Sequence, residues 1–222
     1  MIVARTCLLF CLFFVPLLTW AATPSGCLSS EEQKLVKLIN DYRIANRLPA
    51  VTVSRSMTAV SQWHTIDLVE NNPAGGACNN HSWSGARPDL WTAVCYTANH
   101  ANASGMWYKP REITNGAYLD NGFENIYWHS SAATAENAFI GWKNSAGHRE
   151  TILEQGIWNG MQWQSMGVGI YKNYAALWFG KAPDPQGGVN NCGSRSTGGS
   201  ATEAILIPIM SLLFDQENAA RP

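Results

Sequence analysis

The stretch GFENIYWHSSAATAENAFIGWKNSAGHR, residues 122–149, decides the reading of this chain. It opens on a Gly-Phe-Glu-Asn turn, passes through a short aromatic run and enters a helix that Thr134 can cap. Ala138, Phe139 and Trp142 lie along that helix's apolar side, and Gly147 is its natural stop. Upstream, Asn79-Asn80-His81-Ser82-Trp83 brings a second histidine among polar neighbours. His81, Glu124 and His148, set in glycine-punctuated surroundings, are therefore the candidate site.

The flanking chain supplies a framework. Ser29 or Ser30 can cap a helix beginning at Glu31, whose first turn is acidic. Leu35, Leu38, Ile39, Tyr42 and Ala45 recur at helical spacing and bury one face. After the short extended link Val51-Thr52-Val53, Ser56 can cap a second helix running to about Glu70. Ala59, Val60, Trp63, Ile66, Asp67 and Glu70 share an arc there, with Trp63 as anchor, and His64 beside it reads as a structural or exposed residue. Residues 77–97 form an irregular aromatic stretch, and 99–108 a short helix. Ser165–Tyr171 and Tyr174–Phe179 form a hairpin turning at Lys172-Asn173. Gly167 and Gly169 mark a strand face on which another element packs closely.

The ends and the composition restrict the class. Residues 1–21 carry one positive charge at Arg5 followed by an apolar run, the pattern of a secretory signal peptide. Without Arg5 the 15 Lys+Arg become 14 against 16 Asp+Glu, a net of −2. No basic block stands out, which argues against nucleic acid as a partner. Four cysteines remain after the signal: Cys27, Cys78, Cys95 and Cys192. An even number in an exported chain argues for two disulfides. Three pairings are possible; the preferred one closes a local loop with Cys78–Cys95 and ties the ends with Cys27–Cys192. Asn80-His81-Ser82 and Asn102-Ala103-Ser104 match the N-glycosylation acceptor pattern. From Ala182 the chain turns Gly-, Pro-, Asn- and Ser-rich, and the apolar segment Ala204–Phe214 is too short to span a bilayer.

At Gly122-Phe-Glu-Asn-Ile, Trp142-Lys-Asn-Ser-Ala-Gly-His-Arg and Met166-Gly-Val-Gly the chain resembles the CAP superfamily, the SCP-like proteins related to cysteine-rich secretory proteins, antigen 5 and pathogenesis-related protein 1. The opening helix, with Leu35-Val36-Lys37-Leu38-Ile39-Asn40-Asp41-Tyr42-Arg43, belongs to the same resemblance, and the Gly-His-Arg form looks like that of bacterial and related short members. The resemblance implies an α+β fold, a three-layer α-β-α sandwich with a small central antiparallel sheet. The resemblance covers roughly Glu31 to Gly180; with the signal pattern and the change of composition it gives an expected signal at 1–21, a CAP-like domain over 22–181 and a tail over 182–222. It also implies that His81, Glu124 and His148 meet in a central cleft that takes a ligand or a divalent metal such as zinc, with Asn125 and Ser145 as supporting hydrogen-bond partners. The family's second glutamate normally follows the helix tryptophan by three residues. Here that place holds Ser145, and Glu136 lies too far back along the helix to replace it.

No Gly-x-Ser-x-Gly elbow and no His-Glu-x-x-His helix is present, so a hydrolase would rest on an acid–base pair of His81 or His148 with Glu124. The rival is a secreted binding module. Of ten tryptophans only Trp20 falls in the signal, and Trp83, Trp91, Trp107 and Trp128 lie in weakly patterned segments where aromatic faces can line a groove. Expected partners are a small apolar ligand such as a lipid or sterol, a glycan, or an extracellular protein, with no transmembrane span.

Overall fold

The computed structural model describes residues 22–193. The expected signal peptide and the apolar segment Ala204–Phe214 lie outside the described residues. Helix α1 (Ser30–Ala45) begins with a reciprocal capping box, in which the Ser29 side chain accepts from the Glu32 N–H and the Glu32 carboxylate accepts from the Ser29 N–H. A two-residue strand β1 (Thr52–Val53) leads into α2 (Arg55–Asn71), capped by Ser54 rather than Ser56. Two short helices, α3 (Ala103–Trp107) and α4 (Lys109–Ile113), precede strand β2 (Gly122–Trp128).

The Gly-Phe-Glu-Asn segment is thus strand, not turn. The helix of the opening stretch is also two helices, α5 (Ala135–Asn144) and α6 (Ala146–Leu153). Ser145 is extended between them, and Gly147 and His148 sit inside α6 instead of ending a helix. Strands β3 (Ser165–Tyr171) and β4 (Tyr174–Gly180) form the expected hairpin over Lys172-Asn173.

The sheet runs β1-β3-β4-β2, antiparallel except where β1 joins β3. Alternation along β4 divides the core. Ala175, Leu177 and Phe179 pack with Leu35 and Ile39 of α1 and Ala138 and Trp142 of α5. Ala176 and Trp178 face Met57, Val60 and Leu68 of α2 on the other side. This is the three-layer sandwich that the CAP resemblance implies.

Helix α2 approaches β3 so closely that a Cβ at Gly167 would collide with the backbone of Met57 and Thr58, and one at Gly169 with that of Ser61. On the opposite layer the fully buried Arg43 donates to the carbonyls of Pro49 (3.1 Å) and Ile152 (2.6 Å) and to Glu154 (2.7 Å), joining α1 to the end of α6.

Cys27–Cys192 and Cys78–Cys95 are disulfides. The first closes a separation of 165 residues, beside hydrogen bonds between Leu28 and residues 190 and 192. Residues 182–193 therefore lie against the domain. Asp184 reinforces this by accepting from Ser54 Oγ (2.7 Å) and Ser56 N (2.7 Å) at the start of α2.

Candidate functional site

Glu124 stands on β2, an edge strand, opposite Trp178 of β4. Its side chain is fully buried and three donors converge on it. Oε1 accepts from Trp178 Nε1 (2.7 Å) and from His64 Nδ1 in a short contact. Oε2 accepts from His81 Nδ1 (2.7 Å). Burial alone would push this carboxyl up. The charge of His64 and the hydrogen bonds from His64 and His81 outweigh it and hold the pKa at about 2.

His64, read from the sequence as structural or exposed, is structural, and its bond to Glu124 is what sequence reasoning missed. Its ring is buried on α2, stacks on Trp83 at 4.3 Å between centroids, and donates Nε2–H to the Ser82 carbonyl at 3.0 Å. With acceptors on both ring nitrogens, His64 satisfies its surroundings as the imidazolium, so it forms a buried ion pair with Glu124. The available signal was its place on α2 one position beyond Trp63. The buried face there includes Val60, Ile66 and Asp67 of the expected arc but extends through Met57, Ser61, His64 and Leu68, while Trp63 is only partly buried.

His81 comes from the irregular stretch, pinned by the Cys78–Cys95 disulfide, the Trp83–Val94 bridge and an Asn79 side chain that accepts the His81 N–H at 3.0 Å. Nδ1 is committed to Glu124, so Nε2 is the ring nitrogen left without a protein partner among the described residues. The His81 side chain is 22% exposed.

His148 lies on α6, with Nδ1 3.0 Å from Ser145 Oγ. Burial lowers its pKa, and the charge of His81 adds to that against a smaller opposing pull from Glu124. Asn125 points to the opposite face from Glu124 and donates Nδ2–H to the His148 carbonyl at 2.9 Å.

These groups meet because a cavity of ≈ 580 Å³ wraps over the β2 edge and touches both layers. His81, Glu124, Asn125, Ser145 and His148 all line it. Tyr96, Trp107 and Trp158 supply aromatic wall, and Met106 and Ile157 apolar wall. Of the tryptophans expected to line a groove, Trp107 does so. Trp83 and Trp91 are buried core, and Trp128 is half exposed away from the cavity.

Both Glu124 oxygens are used by protein donors, so the carboxylate serves as an outer partner that orients His81. Among the described residues no group of three or more His, Cys, Asp or Glu side chains is arranged to hold a metal ion. A divalent ion would have the free imidazole nitrogens of His81 and His148 and would need its remaining donors from elsewhere.

No family model matches the chain, and no curated protein matches it significantly. Three solved structures are similar to it over 68% of its length. An extracellular protein containing an SCP domain from Bacillus anthracis str. Ames shares 20% identity over 40% of that chain, with a TM-score of 0.46. A cysteine-rich secretory protein from Staphylococcus aureus subsp. aureus Mu50 shares 13% identity over 39% of that chain, with a TM-score of 0.43. An outer surface protein from Borrelia burgdorferi shares 15% identity over 92% of that chain, with a TM-score of 0.42. The present chain thus spans about two fifths of the first two.

Proposed function

We propose that the chain is an extracellular CAP-like binding module that takes a small ligand in the cavity over the β2 edge. The observation that carries this reading is the cavity itself. Its ≈ 580 Å³ lies within the range of small-molecule sites, and apolar and aromatic walls converge on a few fixed polar groups. Glu124 and His64 act as a rigid mount, and His81 and His148 present imidazole to the occupant. The two disulfides and the signal-like residues 1–21 support an exported protein.

Tryptophan fluorescence titration with sterols, fatty acids and short glycans tests the reading, since Trp107 and Trp158 line the wall. A saturable response lost in Trp107→Ala is the expected result. No response to any class would remove the reading's main support.

A second reading, weak divalent-metal binding, has one observation in its favour. His81 is held through Nδ1 by a carboxylate, the arrangement that orients metal-binding imidazoles. Zinc calorimetry on the wild type and on the His81→Ala/His148→Ala double variant decides it. One-site binding present only in the wild type supports the metal, and equal heats in both exclude it.

A further inference from the structure

Strand β2 is paired on one side only, with β4. Just past its end the His129 N–H donates to the Asn173 carbonyl at 2.9 Å, which sets the phase of the ladder. Phe123, Asn125 and Tyr127 therefore turn N–H and C=O towards β4, and Glu124 and Ile126 turn theirs to the free edge. The β3–β4 hairpin requires the same phase. Its closing pair, Tyr171 and Tyr174, directs the main chain of Ala176 and Trp178 towards β3 and away from Ile126 and Glu124. Neither Glu124 nor Ile126 has a main-chain hydrogen bond on the free edge to any other described residue.

This edge is open where the cavity crosses it. Glu124 is 8% exposed although its side chain is fully buried, so its accessible surface is main chain, and that main chain is cavity wall. An open strand edge is a template for another strand. Side walls flank it on both faces of the sheet. Trp107 and Trp158 stand against Phe123 on one face, at 5.7 and 5.3 Å between ring centroids. His81 and Tyr96, 5.2 Å apart, stand beside Glu124 on the other. A walled slot with an open strand at its floor admits one extended segment and keeps out the packed sheet of a second copy.

We propose that the cavity takes an extended peptide segment as a fifth strand on β2, hydrogen-bonded through its main chain to the N–H and C=O groups of Glu124 and Ile126. This rests on the reading of the cavity as a ligand site and names the class of ligand. Side chains of an added strand alternate between the two walls. One set meets Trp107 and Trp158, and the other meets His81 and Tyr96. The slot therefore favours apolar residues at alternate positions with polar residues between them. Main-chain bonds supply the affinity, and the walls supply the sequence preference.

Two measurements on the whole mature protein test the proposal. The first is amide hydrogen exchange along β2 without ligand. Phe123, Asn125 and Tyr127 should be protected, and Glu124 and Ile126 should exchange about tenfold faster or more. Equal protection of both sets means that the edge is already covered and overturns the proposal. Dependence of that protection on protein concentration would then name a second copy as the cover.

The second is selection from a library of capped pentapeptides on the immobilised protein. Sequences that alternate apolar and polar residues should be enriched, and the best binder should slow exchange at Glu124 and Ile126. That peptide is then remade with N-methyl groups on its first, third and fifth main-chain nitrogens, or on its second and fourth. One series should bind about tenfold weaker or worse and the other should keep its affinity, because only alternate N–H groups meet β2. No variant of the protein is needed, so the result is independent of folding. Equal loss in both series overturns the peptide inference and leaves the cavity reading intact. So does a library without enrichment when a sterol, fatty acid or glycan binds. Failure of peptides and of all those ligands removes both.

Discussion

His64 and His81 hydrogen-bond to the same carboxylate, one on each oxygen of Glu124, yet they belong to different regions of the molecule. His64 is sealed between α2 and the sheet, stacked on Trp83, with both nitrogens spent. His81 is 22% exposed and borders the cavity with one nitrogen free. The same chemistry therefore does two jobs. Where water is shut out, an imidazole neutralises a buried carboxylate and holds the fold together. Where the wall opens, the carboxylate instead orients an imidazole towards whatever enters.

Separating stability from binding is the way to break this contrast. The largest effect is expected from His64→Ala, which leaves the Glu124 charge buried without its cation and should cost about 3–5 kcal/mol in urea unfolding. If that variant unfolds like the wild type, the ion pair is not structural.

Acid should remove much of the same energy. Glu124 is held at about 2 against an ordinary 4.5, so its contribution is complete above about 4.5 and is lost as the pH falls through about 2. The shift corresponds to roughly 3 kcal/mol. Urea midpoints measured across that window should fall in the wild type and flatten in Glu124→Gln.

His81→Ala should cost only about 1 kcal/mol, because the ring it removes is partly in water, while abolishing the fluorescence response to any ligand that binds. A loss of stability as large as that of His64→Ala would erase the distinction. The smallest effect is expected from Ser145→Ala. Removing the hydroxyl beside His148 Nδ1 should weaken ligand by about threefold, with stability within about 0.5 kcal/mol of the wild type.

The two regions also differ in how well the sequence announces them. The hairpin of β3 and β4 is legible from alternation and the Lys172-Asn173 turn, and α1 from its caps. Gly167 and Gly169 forecast the close approach of α2 because a missing side chain has few other uses in a buried strand. His81, Glu124 and His148 do line one cavity.

The bond of His64 to Glu124 was not legible, and the reason is physical. The buried face of α2 is broad and largely polar, with Ser56, Ser61, His64, Thr65 and Asp67 all inside, so apolar periodicity finds Val60, Ile66 and the partly buried Trp63 but passes over His64. Strand β2 hides for a related cause. It is buried on both faces but carries Glu124 and Asn125 in the middle, which reads as a polar turn until their partners on α2 and α6 are known. The break between α5 and α6 at Ser145 has no proline or left-handed residue to signal it.

The glycines of β3 reach further than packing. Because α2 rests on bare main chain there, the gap between helix and sheet is a fixed gauge rather than a quantity that side chains can adjust. His64 rides on one jaw of that gauge, and Glu124 is carried on the other, two strands away from the glycines. A methyl group added at the middle of the sheet would be read out at its edge, as a misplaced imidazole.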